Sequence, residues 1–457
     1  MNVLFIMVDE MAPWGCGPNV LTPNIDALRA RGTDFTAAYT PSPICVPTRA
    51  AIATGKYVHE IGYWSSAEAY DGRVPSWGHQ LADAGVRCES FGKLHYRSEA
   101  DDTGFAVQHI PTHIVDGIGW VQALLRKPMC QYEATSDLAK DIGPGNSDYL
   151  DYDRRVARAA VDWITAPERK HQPWCSFVSF LCPHYPLIAP PNDYARYDDS
   201  PRAAEDVPDH PVLREMWEFW DHDRHFTPKS RGIAYASYQG LCTFVDRRVG
   251  QVLDALDASG QADDTLVIFT SDHGDMMGQH GFWVKSLMYE NSARVPLILA
   301  GPGVATGERA DPVTLIDIAP TVVEAFGLES GLYTGRSLRA AAEPDRTVIS
   351  EYHDGGAPVG MTMVRWNTGD QAWKYVHYAE GYPPQLFELT QDPEEQNDLS
   401  SARPDVIAEG RRRMYEILDP EAVNTRALKD QAHKVDALGG RAVLEAMEQW
   451  NYTPADS

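Results

Sequence analysis

The chain opens on an unbroken apolar run, Val3 to Val8, closed by Asp9, and a run without alternation reads as a β-strand covered on both faces. Two more runs have the same form. Trp174 to Leu181 ends at Cys182-Pro183-His184-Tyr185-Pro186, and Thr265 to Thr270 ends at Ser271-Asp272-His273-Gly274. Between them Leu241, Phe244, Val245, Val249, Val252, Leu253 and Leu256 recur at helical spacing, which predicts a crossover helix over Tyr235 to Leu256. Thr22 to Ala30 reads as a helix opened by Pro23, and Phe35 to Tyr39 as a further strand. Strands alternating with helices predict an α/β fold, a large mixed and mostly parallel sheet sandwiched by helices. Ligands of such sheets sit beyond the carboxyl ends of the strands, where Asp9, His184, Asp272 and His273 all fall.

From Arg346 the texture changes to short strand-like pieces, Thr347 to Tyr352, Met361 to Arg365 and Trp373 to Tyr378, which predict a small antiparallel sheet. The expected division is a catalytic unit over residues 1–345, a small α+β subdomain over 346–417 and a tail over 418–457. The tail is polar and helical in pattern. Its Gly439-Gly440-Arg441 and Trp450-Asn451-Tyr452 segments read as a contact with a neighbouring subunit, so a homo-oligomer (dimer or tetramer) is expected, with a mobile tail as the alternative.

Composition narrows the function. With 457 residues and 43% hydrophobic content the chain can bury a large core. Its 40 Lys+Arg against 65 Asp+Glu give a net charge of -25, which repels polyanions and argues against a nucleic-acid partner. No apolar stretch reaches the roughly 18 residues of a membrane span, so no membrane role is expected. Seven widely spread cysteines with no C-x-x-C spacing read as reduced thiols, and the expected address is the cytoplasm.

One cysteine stands apart. Pro43-Ile44-Cys45-Val46-Pro47-Thr48-Arg49 precedes a small-residue run, so Cys45 sits at a helix start, where the positive helix end and Arg49 would favour an anion. Taken alone, such a cysteine is more often packing than chemistry. Cys-x-Pro-x-Arg followed by Ala-rich sequence and Thr54-Gly55 is, however, similar to the signature of the type I sulfatases of the alkaline phosphatase superfamily. Further pieces follow in that family's order: Thr22-Pro23-Asn24-Ile25-Asp26, Gly92-Lys93-Leu94-His95, Pro183-His184, Ser271-Asp272-His273-Gly274, Lys285, Arg294-Val295-Pro296-Leu297, and Leu386-Phe387-Glu388-Leu389 with Asp392 to Leu399. The stretch near 100 to 150 and the tail lie outside the resemblance. His273 resembles the branch of choline sulfatases and phosphonate monoester hydrolases.

The resemblance implies an alkaline-phosphatase-like fold and hydrolysis of sulfate monoesters by a formylglycine made from Cys45. It implies one divalent metal ion, Ca2+ with Mn2+ as alternative, on Asp9, Cys45, Asp272 and His273. The hydrated aldehyde would attack sulfur, and its second hydroxyl would allow sulfate to leave. Arg49 is expected to steady the hydrate, Lys93 and Lys285 to hold sulfate oxygens, and His95 and His184 to move protons. Where sulfatases often carry two aspartates this chain has Asp9-Glu10, which leaves the role of Glu10 open. The implied partners are a small-molecule sulfate ester and a formylglycine-generating maturation system. Phosphonate monoester or phosphodiester hydrolysis is the alternative activity, and a non-catalytic relative with unmodified Cys45 the other class. Tyr63, Trp64, Trp120, Tyr185 and Trp283 are candidates for a pocket wall, with core packing the competing reading for each.

Overall fold

In the computed structural model, which describes all residues except 131, 133, 134, 171, 450–452, 456 and 457, eight strands form the main sheet. They are β1 (Asn2–Asp9), β2 (Gly32–Phe35), β3 (Arg87–Lys93), β4 (Val107–Thr112), β5 (Trp174–Pro183), β6 (Thr265–Ser271), β7 (Leu297–Ala300) and β8 (Gly307–Arg309), in the order β8-β2-β7-β6-β1-β5-β3-β4. All neighbours pair parallel except β7, which is antiparallel to both β2 and β6. The unbroken apolar run of β1 is explained by two cores. Val3, Phe5 and Met7 feed one, Leu4, Ile6 and Val8 the other, so no position is left for a polar residue.

Helices cover both faces. α1 (Pro23–Ala30), α3 (Asp148–Thr165) and α4 (Pro228–Ser259) pack on the Leu4 side, and α2 (Cys45–Thr54) and α5 (Ile318–Ala325) on the other. The crossover helix is longer than its apolar spacing predicts because Thr227 caps it at Ser230 and Gly260 ends it in the left-handed conformation. The Thr22-Pro23-Asn24-Ile25 motif is structural: Asp246 on α4 accepts the backbone N–H of Asn24 and Ile25 at 3.1 and 2.9 Å, capping α1 from outside. The expected strand Phe35 to Tyr39 is not one strand. β2 ends at Phe35, and Ala38–Tyr39 pairs instead with Val313–Thr314 in a separate two-stranded sheet, because Thr36 turns its N–H to Arg309 and the chain changes sheet there.

The small antiparallel sheet has four strands, β9 (Val348–Tyr352), β10 (Met361–Thr368), β11 (Gln371–Tyr378) and β12 (Gln385–Glu388). The fourth was visible in the sequence only as the Leu386-Phe387-Glu388-Leu389 motif. Helix α6 (Pro404–Ile417) lies on this sheet and α7 (Pro420–Ala437) follows it. No helix among the described residues is long and apolar enough to cross a membrane.

Candidate active site

Parallel register aligns the carboxyl ends of three central strands. Asp9 lies opposite Pro183 of β5, and Val8 opposite Ser271 of β6, so Asp9, His184, Asp272 and His273 emerge together. The Ser271 hydroxyl joins two of these loops, accepting from Met11 N and donating to the His273 carbonyl, each at 2.8 Å. From the other side, the first turn of α2 brings in Cys45 and Arg49.

Four buried donors meet at this point. One atom each from Asp9, Cys45, Asp272 and His273 lies within 4.8 Å of all the others. The His273 Nδ1–H donates to the Gly274 carbonyl at 3.0 Å, which fixes the tautomer and turns the Nε2 lone pair inward, 3.0 Å from Cys45 Sγ. Two carboxylates and an imidazole, with the side chain of Cys45 beside them, make a donor set that could hold a divalent cation. Beside these donors Arg49 Nη2, 4.0 Å from Asp9 Oδ1, is buried without a hydrogen-bond partner.

Buried cations balance the carboxylates. Arg49 Nε donates to Asp272 Oδ2 at 2.8 Å, and its Nη1 to the Lys93 carbonyl at 2.7 Å and Ser179 Oγ at 3.0 Å. Lys93 Nζ contacts Asp9 Oδ2 and lies 3.9 Å from Cys45 Sγ. Burial alone would raise the Asp9 carboxyl; Lys93, His184 and Arg49 outweigh it and hold the group well below its ordinary range. Lys285 Nζ bonds Glu10 Oε2 at 3.0 Å and His184 Nε2 at 2.8 Å. Glu10 thus turns to Lys285 and His184 (3.2 Å), away from the four-donor cluster, and burial lifts its carboxyl to about 8 against the pull of Lys285.

The expectation that the helix end would make Cys45 an anion does not hold. Burial pushes the thiol up to about 12; Lys285 and Lys93 oppose this, but Asp9 and Asp272 add to it. The cysteine as encoded is a neutral thiol, and its Sγ stands where the oxygens of an oxidised side chain would sit. Both proton-transfer candidates are neutral too. Burial lowers His95 with Lys93 and Arg49 helping, and lowers His184 with Lys285 helping.

Strain locates the cation-bearing loops. Lys285 is held between Val284 (φ 59°) and Ser286 (φ 81°), and Glu10 and His95 also have positive φ, 67° and 54°. Non-glycine residues in this region each cost on the order of 1–3 kcal/mol, which the surrounding packing has to offset. Gly92 precedes Lys93 at φ 88°, and a Cβ there would lie 2.1 Å from the Ser179 carbonyl oxygen and 3.1 Å from both Val156 methyls. Gly92→Ala is therefore expected to displace Lys93 and to lower stability by more than the roughly 1–3 kcal/mol of the backbone strain alone, read as a fall in denaturant midpoint. An unchanged midpoint and turnover would refute this account of the Gly-Lys pair.

Against this geometry, the sulfatase family profile matches residues 1–328, well over half of the chain. The chain belongs to the sulfatase family. A second profile, that of the C-terminal part of N-sulphoglucosamine sulphohydrolase, matches residues 278–418 of this sulfatase. Choline-sulfatase of Rhizobium meliloti is 31% identical over 431 residues, covering 87% of this chain and 82% of that protein. Arylsulfatase K of Danio rerio is 31% identical over 439 residues, covering 89% and 80%. The phosphonate monoester hydrolase of Silicibacter pomeroyi shares the fold with a TM-score of 0.72 at 23% identity, covering 91% of this chain and 94% of that one. The sulfatase is a sulfuric ester hydrolase with an alkaline-phosphatase-like fold.

All nine site residues read from the sequence, Asp9, Cys45, Arg49, Lys93, His95, His184, Asp272, His273 and Lys285, are buried and gather around one point. Cys45, Lys93, His95, His184 and Lys285 line a cavity of about 140 Å³. Of the five candidate aromatics only Trp120 and Tyr185 reach that cavity. Tyr63 and Trp64 are buried against Asp71 and Asp430, and Trp283 stacks on Phe226 at 3.7 Å. Sequence reasoning missed Ser179, Tyr132, Trp220, His222 and Thr453. Ser179 carries no signal inside an apolar strand, and the others sit in segments without a family motif.

Proposed function

We propose that this sulfatase hydrolyses sulfate monoesters with a formylglycine made from Cys45 and one divalent cation, Ca2+ in preference to Mn2+, held by Asp9, Cys45, Asp272 and His273. The observation that carries this reading is charge: two buried ammoniums, Lys93 and Lys285, flank Cys45 in a cavity whose lining includes no carboxylate among the described residues. That pocket suits the anionic end of an ester, and an apolar wall of Trp120, Tyr132, Tyr185 and Trp220 suits its alcohol part. When bound, the cation supplies charge neutralisation and activates an oxygen nucleophile; formylglycine supplies that oxygen as an aldehyde hydrate.

The protein's own groups do the rest. Lys93 and Lys285 would bind sulfate oxygens, and Arg49, locked on Asp272 and Ser179 and with its Nη2 buried without a hydrogen-bond partner, would steady the hydrate. His184 hands a proton to the leaving alcohol oxygen. Its Nδ1–H is committed to the Tyr185 carbonyl at 2.7 Å, so Nε2 is the working atom, and an anion that draws Lys285 away from Nε2 raises its proton affinity. His95 would act as the proton acceptor. The division into 1–345, 346–417 and 418–457 belongs to the same proposal, as does a cytoplasmic setting, supported by seven buried cysteines outside any disulfide.

Rates on an aryl sulfate and an aryl phenylphosphonate, measured side by side with and without chelator, test the reading. Sulfate turnover that dominates and is lost with chelator is expected, with Ca2+ restoring it best. A much larger phosphonate efficiency would overturn the substrate assignment, and turnover indifferent to chelator would overturn the metal.

A further inference from the structure

The two stretches that carry no family motif, residues near 100 to 150 and the tail, meet at the active-site cavity. The short helix Arg441–Glu445 is pinned there: Arg441 Nη1 donates to the Pro128 carbonyl, and Gln122 Nε2 to the carbonyls of Leu444 and Met447, each at 2.9 Å. Residues 453–455 are anchored beside the pocket. The Tyr149 hydroxyl donates to the Thr453 carbonyl at 2.7 Å, the Thr112 hydroxyl to the Ala455 carbonyl at 3.3 Å, and Ala455 is buried. These anchors place Thr453 Oγ1 2.7 Å from His95 Nε2, on the wall of the cavity that Cys45 lines. Within the chain, residues 453–455 thus pack on the cavity wall, beside the expectation of a subunit contact; the Trp450-Asn451-Tyr452 part of that expectation lies outside the described residues.

We propose that Thr453 is a positioning residue for His95, its hydroxyl accepting the Nε2–H and so leaving Nδ1 as the basic atom of the ring. The inference rests on the reading of His95 as a proton-transfer group. A neutral imidazole carries one N–H. Placed on Nδ1, that proton would be a buried donor with no acceptor; placed on Nε2, it meets Thr453. The hydroxyl therefore selects the tautomer whose Nδ1 lone pair can receive a proton. The tail becomes part of the site through one side chain held by two neighbouring anchors.

Thr453→Val removes the hydroxyl at constant shape, and Thr453→Ser keeps it. With an aryl sulfate, Thr453→Val is expected to lower kcat on the order of tenfold, the effect of about one hydrogen bond, with KM within about twofold; Thr453→Ser stays within about twofold of the parent in both. Nitrogen NMR of histidine-labelled full-length protein, with the His95 signal assigned by its loss in His95→Gln, gives an activity-independent readout. An Nε2–H tautomer in the parent and in Thr453→Ser, lost or mixed in Thr453→Val, supports the proposal. An Nδ1–H tautomer in the parent, an unchanged kcat in Thr453→Val, or an equal loss in Thr453→Ser would overturn it. A parent without sulfate turnover would strike the functional reading, while the tautomer measurement would still decide the role of Thr453.

Discussion

Cys45→Ala is expected to reduce aryl sulfate hydrolysis by roughly four orders of magnitude or more, because it removes the nucleophile and one of the four converging donors at once. Cys45→Ser is the more informative partner. A serine oxygen can attack sulfur, but it has no second hydroxyl on the same carbon to expel the sulfate, so a single turnover ending in a sulfated residue is expected. Intact mass of the peptide holding Cys45 checks both ends of the argument: an aldehyde in the active parent, and a trapped sulfate ester on the serine variant. An unmodified thiol in a fully active preparation would sink the formylglycine assignment.

The second large effect lies far from the chemistry. Lys374 on β11 has no exposed surface and reaches Glu290 at 2.7 Å, Glu395 at 2.8 Å and the Met288 carbonyl at 2.9 Å. Glu395 in turn accepts the Glu290 backbone N–H at 2.6 Å. This ion cluster ties the small sheet to the loop that carries Lys285. Lys374→Met would leave two buried carboxylates with Arg294, at 2.7 Å from Glu290, and the more distant Arg365 to balance them. The expected cost is about 3–5 kcal/mol, read from the denaturant midpoint, because removing one partner strands the charge of the others. A loss below about 1 kcal/mol would mean that the cluster is solvated in solution. The triple replacement Lys374→Met with Glu290→Gln and Glu395→Gln is expected to recover much of that loss, since neutral partners no longer need the cation.

The same two sites show what could be read from the sequence. The central strands declared themselves because burial on both faces leaves no charged position within β1, β5 and β6 before their ends, and chemistry then stands out there as Asp9, His184, Asp272 and His273. Cys45 and Arg49 needed the family resemblance, since one cysteine at a helix start carries too little information. What stayed hidden depends on contacts between distant segments. Ser179 differs from its neighbours only by a hydroxyl, yet it orients Arg49. Asp392 to Leu399 was recognisable as a motif, but its reason, Glu395 beneath Lys374, appears only when β11 is placed. The split of the predicted strand Phe35 to Tyr39 follows from a pairing with residues 307–314, which local pattern cannot foresee. Thr453 sits some 358 positions from its partner His95 and has no sequence signal at all.

The burial of Cys45 also sets a timetable. Its side chain is closed over by His273, 228 residues further along the chain. At the usual pace of synthesis, about 5–20 residues per second, roughly 10–45 seconds separate the emergence of the two. During that interval the Cys45 segment is exposed on the ribosome, and once β6 joins the sheet it is not. On the proposed reading, an enzyme that oxidises Cys45 would therefore have to read an extended peptide rather than a folded surface, and it would compete with folding for a substrate that vanishes when folding succeeds. Conditions that hasten folding of this chain would then lower the fraction of active molecules, even as they raise the yield of native ones.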